Sequence, residues 1–409
     1  MQQRPRLVTV DHVWSGRWSG RTVLRLDGHG VAAVGGDEAR AALAGPLPHV
    51  PGTVLAPFTD SHVHLGLVDA TRLPAGGISK VVDLGWDPAV AVTWLDRGGQ
   101  GDAGPATPDD RASSDRASWP EVRSALGLVT APGGYPARSG WAPPAAALAV
   151  RGLTARGRVR HAERLVARLH AQGASLVKVA LHSDVGPVLD DALLDAVVRA
   201  AHDHGLPVTV HAQGPGQVLR ALDAGVDQFA HAPFDEVLPD DVLARAAATT
   251  SWVSTLDIHG RGAGGATHDT AVANVTGFRA SGGRVLYGTD LGNGDLPLGV
   301  HERELLALGE AGLGFAALLG ALAPDAVHAG GSTAGPSGLD DAPGPGAHAV
   351  RLPEHRVTHV PDVPAASGTP AERAAWLARA RAVTADELAA LAGPPRPAPH
   401  DTPSRGGTP

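Results

Sequence analysis

The chain has 409 residues, 43% hydrophobic and 19% charged, which supplies ample material for a packed core and excludes disorder of the whole. There is no cysteine, so disulfides, iron–sulfur clusters, thiolate nucleophiles and Cys-ligated zinc are excluded, and any metal must be held by nitrogen and oxygen. Lys+Arg of 34 against Asp+Glu of 42 gives a net charge of −8, which argues against nucleic acid or an anionic membrane as partner.

The opening MQQRPRLVTVDHVWSG lacks the apolar core of a signal peptide, and no run approaches the roughly 18 apolar residues of a membrane span. A soluble cytoplasmic protein is the expectation. Residues 1–52 read as short strands between glycine-containing turns, a small β-rich domain. From 53 to 324 short apolar runs alternate with helical stretches. Eight runs qualify as strands: 53–62, 79–85, 122–131, 174–181, 206–212, 227–232, 251–257 and 284–290. Between them, 161–173, 192–205 and 216–225 carry apolar residues at spacings of three and four and close on glycine. Eight such repeats predict an α/β protein built on a (β/α)8 TIM barrel. A doubly wound sheet is the alternative, but no glycine-rich phosphate loop follows the first strand.

Residues 98–119 are polar and breaker-rich, a long loop between the second and third strands. Residues 325–368 read as a linker in which AHAVRL and HRVTHV are strands returning to the small domain. A helix is expected over 369–393, with Thr369 as N-cap and Glu372 three residues on, followed by a disordered tail over 394–409.

Active-site residues of such a barrel sit at the C-terminal ends of its strands. The first strand there delivers His62 and His64, the fourth contains Lys178, the fifth ends at His211, the sixth at His231 and the eighth at Asp290. Twenty histidines in 409 positions produce about one H-x-H pair by chance, so placement decides. On a strand, residues i and i+2 share a face and can bite one ion; His202 and His204, on a helix, point apart. Only two lysines occur, Lys80 and Lys178, and the second lies inside the apolar run ASLVKVAL. A charged lysine there is costly, so it is either paired or has a lowered pKa and acts as an amine nucleophile able to add carbon dioxide. Taken singly, His211 and His231 also suit a satisfied core and Asp290 a turn; together the set points to a metal site.

These stretches resemble the metal-dependent amidohydrolase superfamily, in its imidazolonepropionase-like and prolidase-like branch. TVLAPFTDSHVHLGL (53–67), GLVTAPGGYP (127–136), GASLVKVALHSD (173–184), residues 193–234, YGTDLG (287–292) and HERELLALGEAGL (301–313) carry the likeness, over roughly 1–320. The resemblance implies a barrel with a small β-sandwich built from both chain ends. It implies that His62, His64 and Asp290 hold one divalent cation, that His211 and His231 hold another, and that a carbamate on Lys178 bridges them. Phe58 stands where the family usually has glycine, and the usual C-terminal strand pattern is not recognisable.

The ligand set points to hydrolysis of a C–N bond (amide, lactam, ureido or dipeptide) by a metal-activated hydroxide, with Asp290 as general base and then acid. Zinc is the first expectation for histidine and carboxylate ligands, with manganese, iron or cobalt as alternatives. Tyr135, His182, His259 and Arg261 are candidates for binding the small-molecule substrate. Rival readings are a mononuclear deaminase or imidazolone-type cyclic amide hydrolase, and an inert barrel acting as a binding protein. A homo-oligomer is compatible with all of them.

Overall fold

A computed structural model describes residues 5–97, 118–329, 355–365 and 367–395. The chain divides into two compact units. The smaller contains the described residues 5–56, 355–363 and 383–395, and the larger contains the described residues of 57–329 and of 364–382.

The smaller unit begins with β1 (Arg6–Trp14), β2 (Trp18–Ser19), β3 (Thr22–Asp27), β4 (Gly30–Val34) and β5 (His49–Leu55). β1 alternates β-branched and polar residues and buries Val8, Val10 and Val13. It runs antiparallel to β3, with Val8 opposite Leu24, and parallel to β5, with Val13 opposite Val54. The register against β5 shifts between Val10 and His12, and there the Asp11 carboxylate accepts the Gly52 N–H at 2.8 Å. Gly52 has φ +99°, and a Cβ on it would lie 2.2 Å from the Val360 carbonyl oxygen.

The larger unit carries β6 (Phe58–Val63), β7 (Ile78–Asp83), β8 (Glu121–Ser124), β9 (Leu128–Thr130), β10 (Ala147–Ala149), β11 (Val177–His182), β12 (Val208–Gln213), β13 (Gln228–Phe229), β14 (Ser251–Val253) and β15 (Arg284–Leu286). They form two sheets, β6-β7-β8 and β10-β9-β11-β12-β13-β14-β15, and every pairing described in them is parallel. Every residue of β6 and of β11 is buried, as expected of parallel strands covered on both faces. The helix Ala155–Ala171 buries Ala162, Leu165, Val166 and Leu169, one stripe at spacings of three and four, and Thr154 caps it by accepting the Gly157 N–H.

All eight expected strand regions contain strand. The third, expected unbroken over 122–131, is split into β8 and β9. Leu126 takes φ 62° and donates its N–H to the Ser124 hydroxyl instead of across the sheet, so β8 pairs with β7 and β9 with β11. Hydrogen bonds link the two sheets at both edges. Ser175 N–H donates to Ser124 O at 2.9 Å; Ser61 N–H donates to Tyr287 O at 3.0 Å and His64 N–H to Leu291 O at 2.8 Å. A cavity of about 360 Å³ at the strand beginnings is lined by Thr59, Lys80, Arg123, Thr209, Ser251 and Arg284, from both sheets.

The chain end departs from expectation. β16 (Arg356–Val360), within the expected strand HRVTHV, pairs antiparallel with β5, and β17 (Arg381–Thr384) adds outside it, giving the order β17-β16-β5-β1-β3-β4. AHAVRL, most of the 98–119 loop and nearly all of the tail lie outside the described residues. The stretch assigned to a linker from 325 opens inside a helix, Pro324–Ala329. The single helix expected over 369–393 is two, Pro370–Leu377 and Ala385–Ala390, with β17 between them. Thr369 and Glu372 close a capping box on the first, while Thr384 and Glu387 close a second box on the next. An N-cap residue must be extended, so Thr384 interrupts what helix propensity alone would have continued. Among the described residues no helix is long and apolar enough to cross a membrane.

Gly52→Ala should lower unfolding stability by at least about 2 kcal/mol, because strain and a backbone clash combine. Gly45→Ala, where an added Cβ meets nothing within 4 Å, is the matched control. Equal urea midpoints for the two variants would refute this role for Gly52.

Candidate metal centre

His62 lies on β6 and His64 just beyond its end, so their side chains leave the same face of the sheet. Each ring is oriented by its far nitrogen: His62 Nδ1 donates to Ala230 O at 2.8 Å and His64 Nδ1 to Gly85 O at 3.1 Å. A carbonyl oxygen can only accept, so in the neutral form of each ring the lone pair lies on Nε2. Those two atoms sit 3.4 Å apart, and Asp290 Oδ1 lies 3.2 Å from the first and 3.4 Å from the second. Burial pushes His62 down to about 3, against the opposing pull of Asp290, so this imidazole is neutral at pH 7. The Asn293 amide donates to Asp290 Oδ1 at 2.8 Å and favours its carboxylate form.

Asp290 is delivered by an unusual backbone. It takes φ 56°, a conformation that costs a non-glycine residue energy. Two residues earlier, a Cβ on Gly288 would stand 2.2 Å from Val253 Cγ1 and 3.1 Å from His62 N, so only glycine lets the segment approach β6. Asp60 then clamps it: its carboxylate accepts from Thr289 N at 3.1 Å, Thr289 Oγ1 at 2.6 Å and His62 N at 3.1 Å.

Lys178, His182 and His211 share one face of the next sheet, since Lys178, Ala180 and His182 alternate along β11 and His211 on β12 pairs with Ala180. Lys178 is 1% exposed. Burial pushes its amine down to about 7, although Asp290 and Asp83 both act to raise it. The rings of His211 and His231 meet edge to face at 4.9 Å, and His231 lies 4.6 Å from His62, so all four histidines form one cluster. His231, expected to end the sixth strand, lies two residues past β13; its Nδ1 is 2.9 Å from Thr255 Oγ1. Thr255 sits at φ 44° in a turn whose next two N–H groups, on Leu256 and Asp257, donate to the buried Glu304 carboxylate at 2.9 and 2.8 Å. Burial raises Glu304 to about 7.

The donors suit a cation. Ligands held about 2.0–2.1 Å from a tetrahedral zinc ion stand roughly 3.3 Å from one another, which matches the 3.2–3.4 Å spacing of His62, His64 and Asp290. These three form a group of ligand atoms able to hold one ion. The Nε2 of His211 is buried with no hydrogen-bond partner, which leaves a free donor nitrogen in the same cluster.

The proposed substrate contacts are placed unevenly. Tyr135 stacks on His211 at 4.8 Å, and His182 lies 5.1 Å from both rings with a buried, unpartnered Nδ1. His259 packs on Phe234 at 4.1 Å, and burial pushes it down to about 4. Arg261 is exposed at the end of the short helix Asp257–Gly260. Sequence reasoning missed Trp141, whose ring lies 4.3 Å from His64 and whose Nε1 donates to Tyr135 Oη at 3.0 Å. It also missed Asp60, Asp83, Thr255 and Glu304; only Asp60, two residues before His62, carried a local signal. His202 bonds Asp227 at 2.8 Å and His204 stacks on His170, so the helical pair stays apart from the cluster.

No family model and no curated protein matches the sequence. Solved structures do. A Xaa-Pro dipeptidase with methionine bound in its active site superposes with TM-score 0.64 at 16% identity, over 94% of this chain and 99% of that one. The ochratoxinase of A. niger gives 0.62 at 16%, over 92% of each chain, and molinate hydrolase 0.63 at 13%, over 95% of each. The resemblance read in the sequence therefore holds at the level of the fold.

Glu304→Ala should destabilise the protein by about 2–4 kcal/mol, since two buried N–H groups lose their acceptor. Denaturant unfolding of the metal-free protein would test this, and a loss below about 0.5 kcal/mol would contradict it.

Proposed function

We propose that this chain is a metal-dependent amidohydrolase, and that it hydrolyses a C–N bond in a small-molecule amide, lactam, ureide or dipeptide. In this reading the hydrogen bonds at both sheet edges close a (β/α)8 barrel, and the small unit is its accompanying β-sandwich. The carrying observation is the convergence of two lone-pair nitrogens and a carboxylate oxygen at the spacing of a metal's ligands.

His62, His64 and Asp290 would hold one ion, and His211 and His231 a second. Lys178, as a carbamate, would serve as a ligand shared between them. Its amine, pushed down to about 7, is substantially unprotonated at neutral pH, the form that adds carbon dioxide. Zinc suits this donor set best, with manganese, iron or cobalt as alternatives. When bound, the cations lower the pKa of water and polarise the scissile carbonyl. Asp290 accepts the proton released by the attacking water and delivers it to the leaving nitrogen. Tyr135 and His182 pack against His211, where they can orient the substrate carbonyl, and His259 packs on Phe234 near His231.

A mononuclear variant of this reading needs only His62, His64 and Asp290, whose ligand atoms lie close enough together for one ion. A deaminase or cyclic amide hydrolase with a single ion would then use His231 as an assisting group.

Elemental analysis after reconstitution with zinc and bicarbonate separates the two. Two equivalents per chain, falling in Lys178→Ala, would support the bridged pair. One equivalent unaffected by that substitution would favour the mononuclear reading, and no metal in either protein would leave an inert barrel. Asp290→Asn should lower kcat by about 10³-fold or more while largely retaining metal. Full activity in the Asp290→Asn protein would remove Asp290 from proton transfer.

A further inference from the structure

Aromatic residues are only 4% of this chain: eight Trp, two Tyr and five Phe. Four of them nonetheless gather around the metal ligands, beyond the C-terminal ends of three different strands. Trp86 follows β7, Tyr135 and Trp141 follow β9, and Phe234 follows His231; all four are half-buried. Each therefore keeps part of its ring surface accessible beside the cluster.

Their contacts converge on the cluster. Trp141 lies 4.3 Å from His64, and Tyr135 lies flat on His211 at 4.8 Å with 16° between the planes. The two are tied by the Trp141 Nε1 bond to Tyr135 Oη, and Trp86 backs Trp141 at 6.4 Å. Phe234 is 6.3 Å from His231 and packs on His259. Whatever lies on the reacting centre thus has aromatic side chains beside it.

We infer that this aromatic wall, centred on Trp141 and Trp86, is the pocket for a flat, uncharged substituent, an aryl group or its planar equivalent, attached next to the scissile C–N bond. The inference rests on the hydrolase reading above and names the substrate class for it. A carboxylate substituent would lose its hydration against the rings, and a cationic one, although rings attract cations, would be repelled by the bound metal ions. A planar apolar group gains area burial and offset stacking together.

Metal-binding hydroxamates test this without turnover, because the head group chelates and the tail samples the pocket. Binding to the metal-loaded full chain is measured calorimetrically for benzohydroxamate, cyclohexyl hydroxamate and acetohydroxamate. Benzohydroxamate should bind roughly tenfold or more tighter than acetohydroxamate, and more tightly than the non-planar cyclohexyl analogue. That ratio should fall to within about twofold in Trp141→Ala and be largely kept in Trp141→Phe. Trp86→Ala should reduce it too, which covers the case that Trp141→Ala misfolds. Equal affinities for the three tails, or a ratio unmoved in both alanine variants, overturns the pocket. A protein that prefers benzohydroxamate yet cleaves no amide keeps the pocket and loses the hydrolase reading. One that cleaves phenyl- and methyl-substituted amides alike, and binds the tails equally, keeps hydrolysis and loses the pocket.

Discussion

Two imidazole lone pairs and a carboxylate oxygen meet within 3.4 Å at a site that solvent barely reaches. Brought together without a cation, these groups repel one another and forfeit their hydration. Both Nδ1 atoms are committed to backbone carbonyls, so rotating the rings away would strand buried donors and acceptors. The protein therefore holds an arrangement that favours a bound cation over any rearrangement of its own. The surrounding strand ends are built to keep those three atoms where they are.

Buried carboxylates are the means. Asp60 joins His62 N to Thr289 N, Asp83 joins Leu65 N to Gly85 N and to the Ser124 hydroxyl, and Glu304 joins Leu256 N to Asp257 N. Each takes up backbone N–H groups just past a strand end, Thr289 after β15, Leu65 after β6, Gly85 after β7, and Leu256 and Asp257 after β14. Burial raises all three, Asp60 and Glu304 to about 7. Charge there is costly, and it is tolerated because each carboxylate accepts two or more hydrogen bonds. Outside them, Arg303 grips Asp257 through three bonds of 3.0–3.2 Å, which steadies the same turn that presents Thr255 to His231.

Much of this was legible in the sequence because it obeys short-range periodicities. The strand order, the pairing of His62 with His64 on one face and the isolation of Lys178 in an apolar run all follow from alternation along strands. What escaped depends on contacts distant in sequence. Nothing near Glu304 announces that it binds residues 256 and 257, and Trp141 lies in a loop without periodicity. The single helix expected over 369–393 failed for a local reason: two capping boxes stand 15 residues apart, and only the first was recognised.

The remaining signal is backbone strain, which no sequence pattern displays for residues other than glycine. Among the described residues, four that are not glycine have positive φ: Leu126, Thr255, Arg261 and Asp290. Each such conformation costs on the order of 1–3 kcal/mol, so it persists only where surrounding contacts impose it. Leu126 breaks the third strand and its carbonyl accepts from Trp86 N at 3.0 Å, so that strain helps fix the aromatic wall. Thr255 turns its hydroxyl to His231, and Asp290 turns its carboxylate to His62 and His64. Arg261 ends the short helix that carries His259. Two of the four, Thr255 and Asp290, turn their side chains directly onto the histidine cluster. A relaxed backbone at these positions would stabilise the fold and dismantle the site, which is the expected relation between stored strain and chemistry.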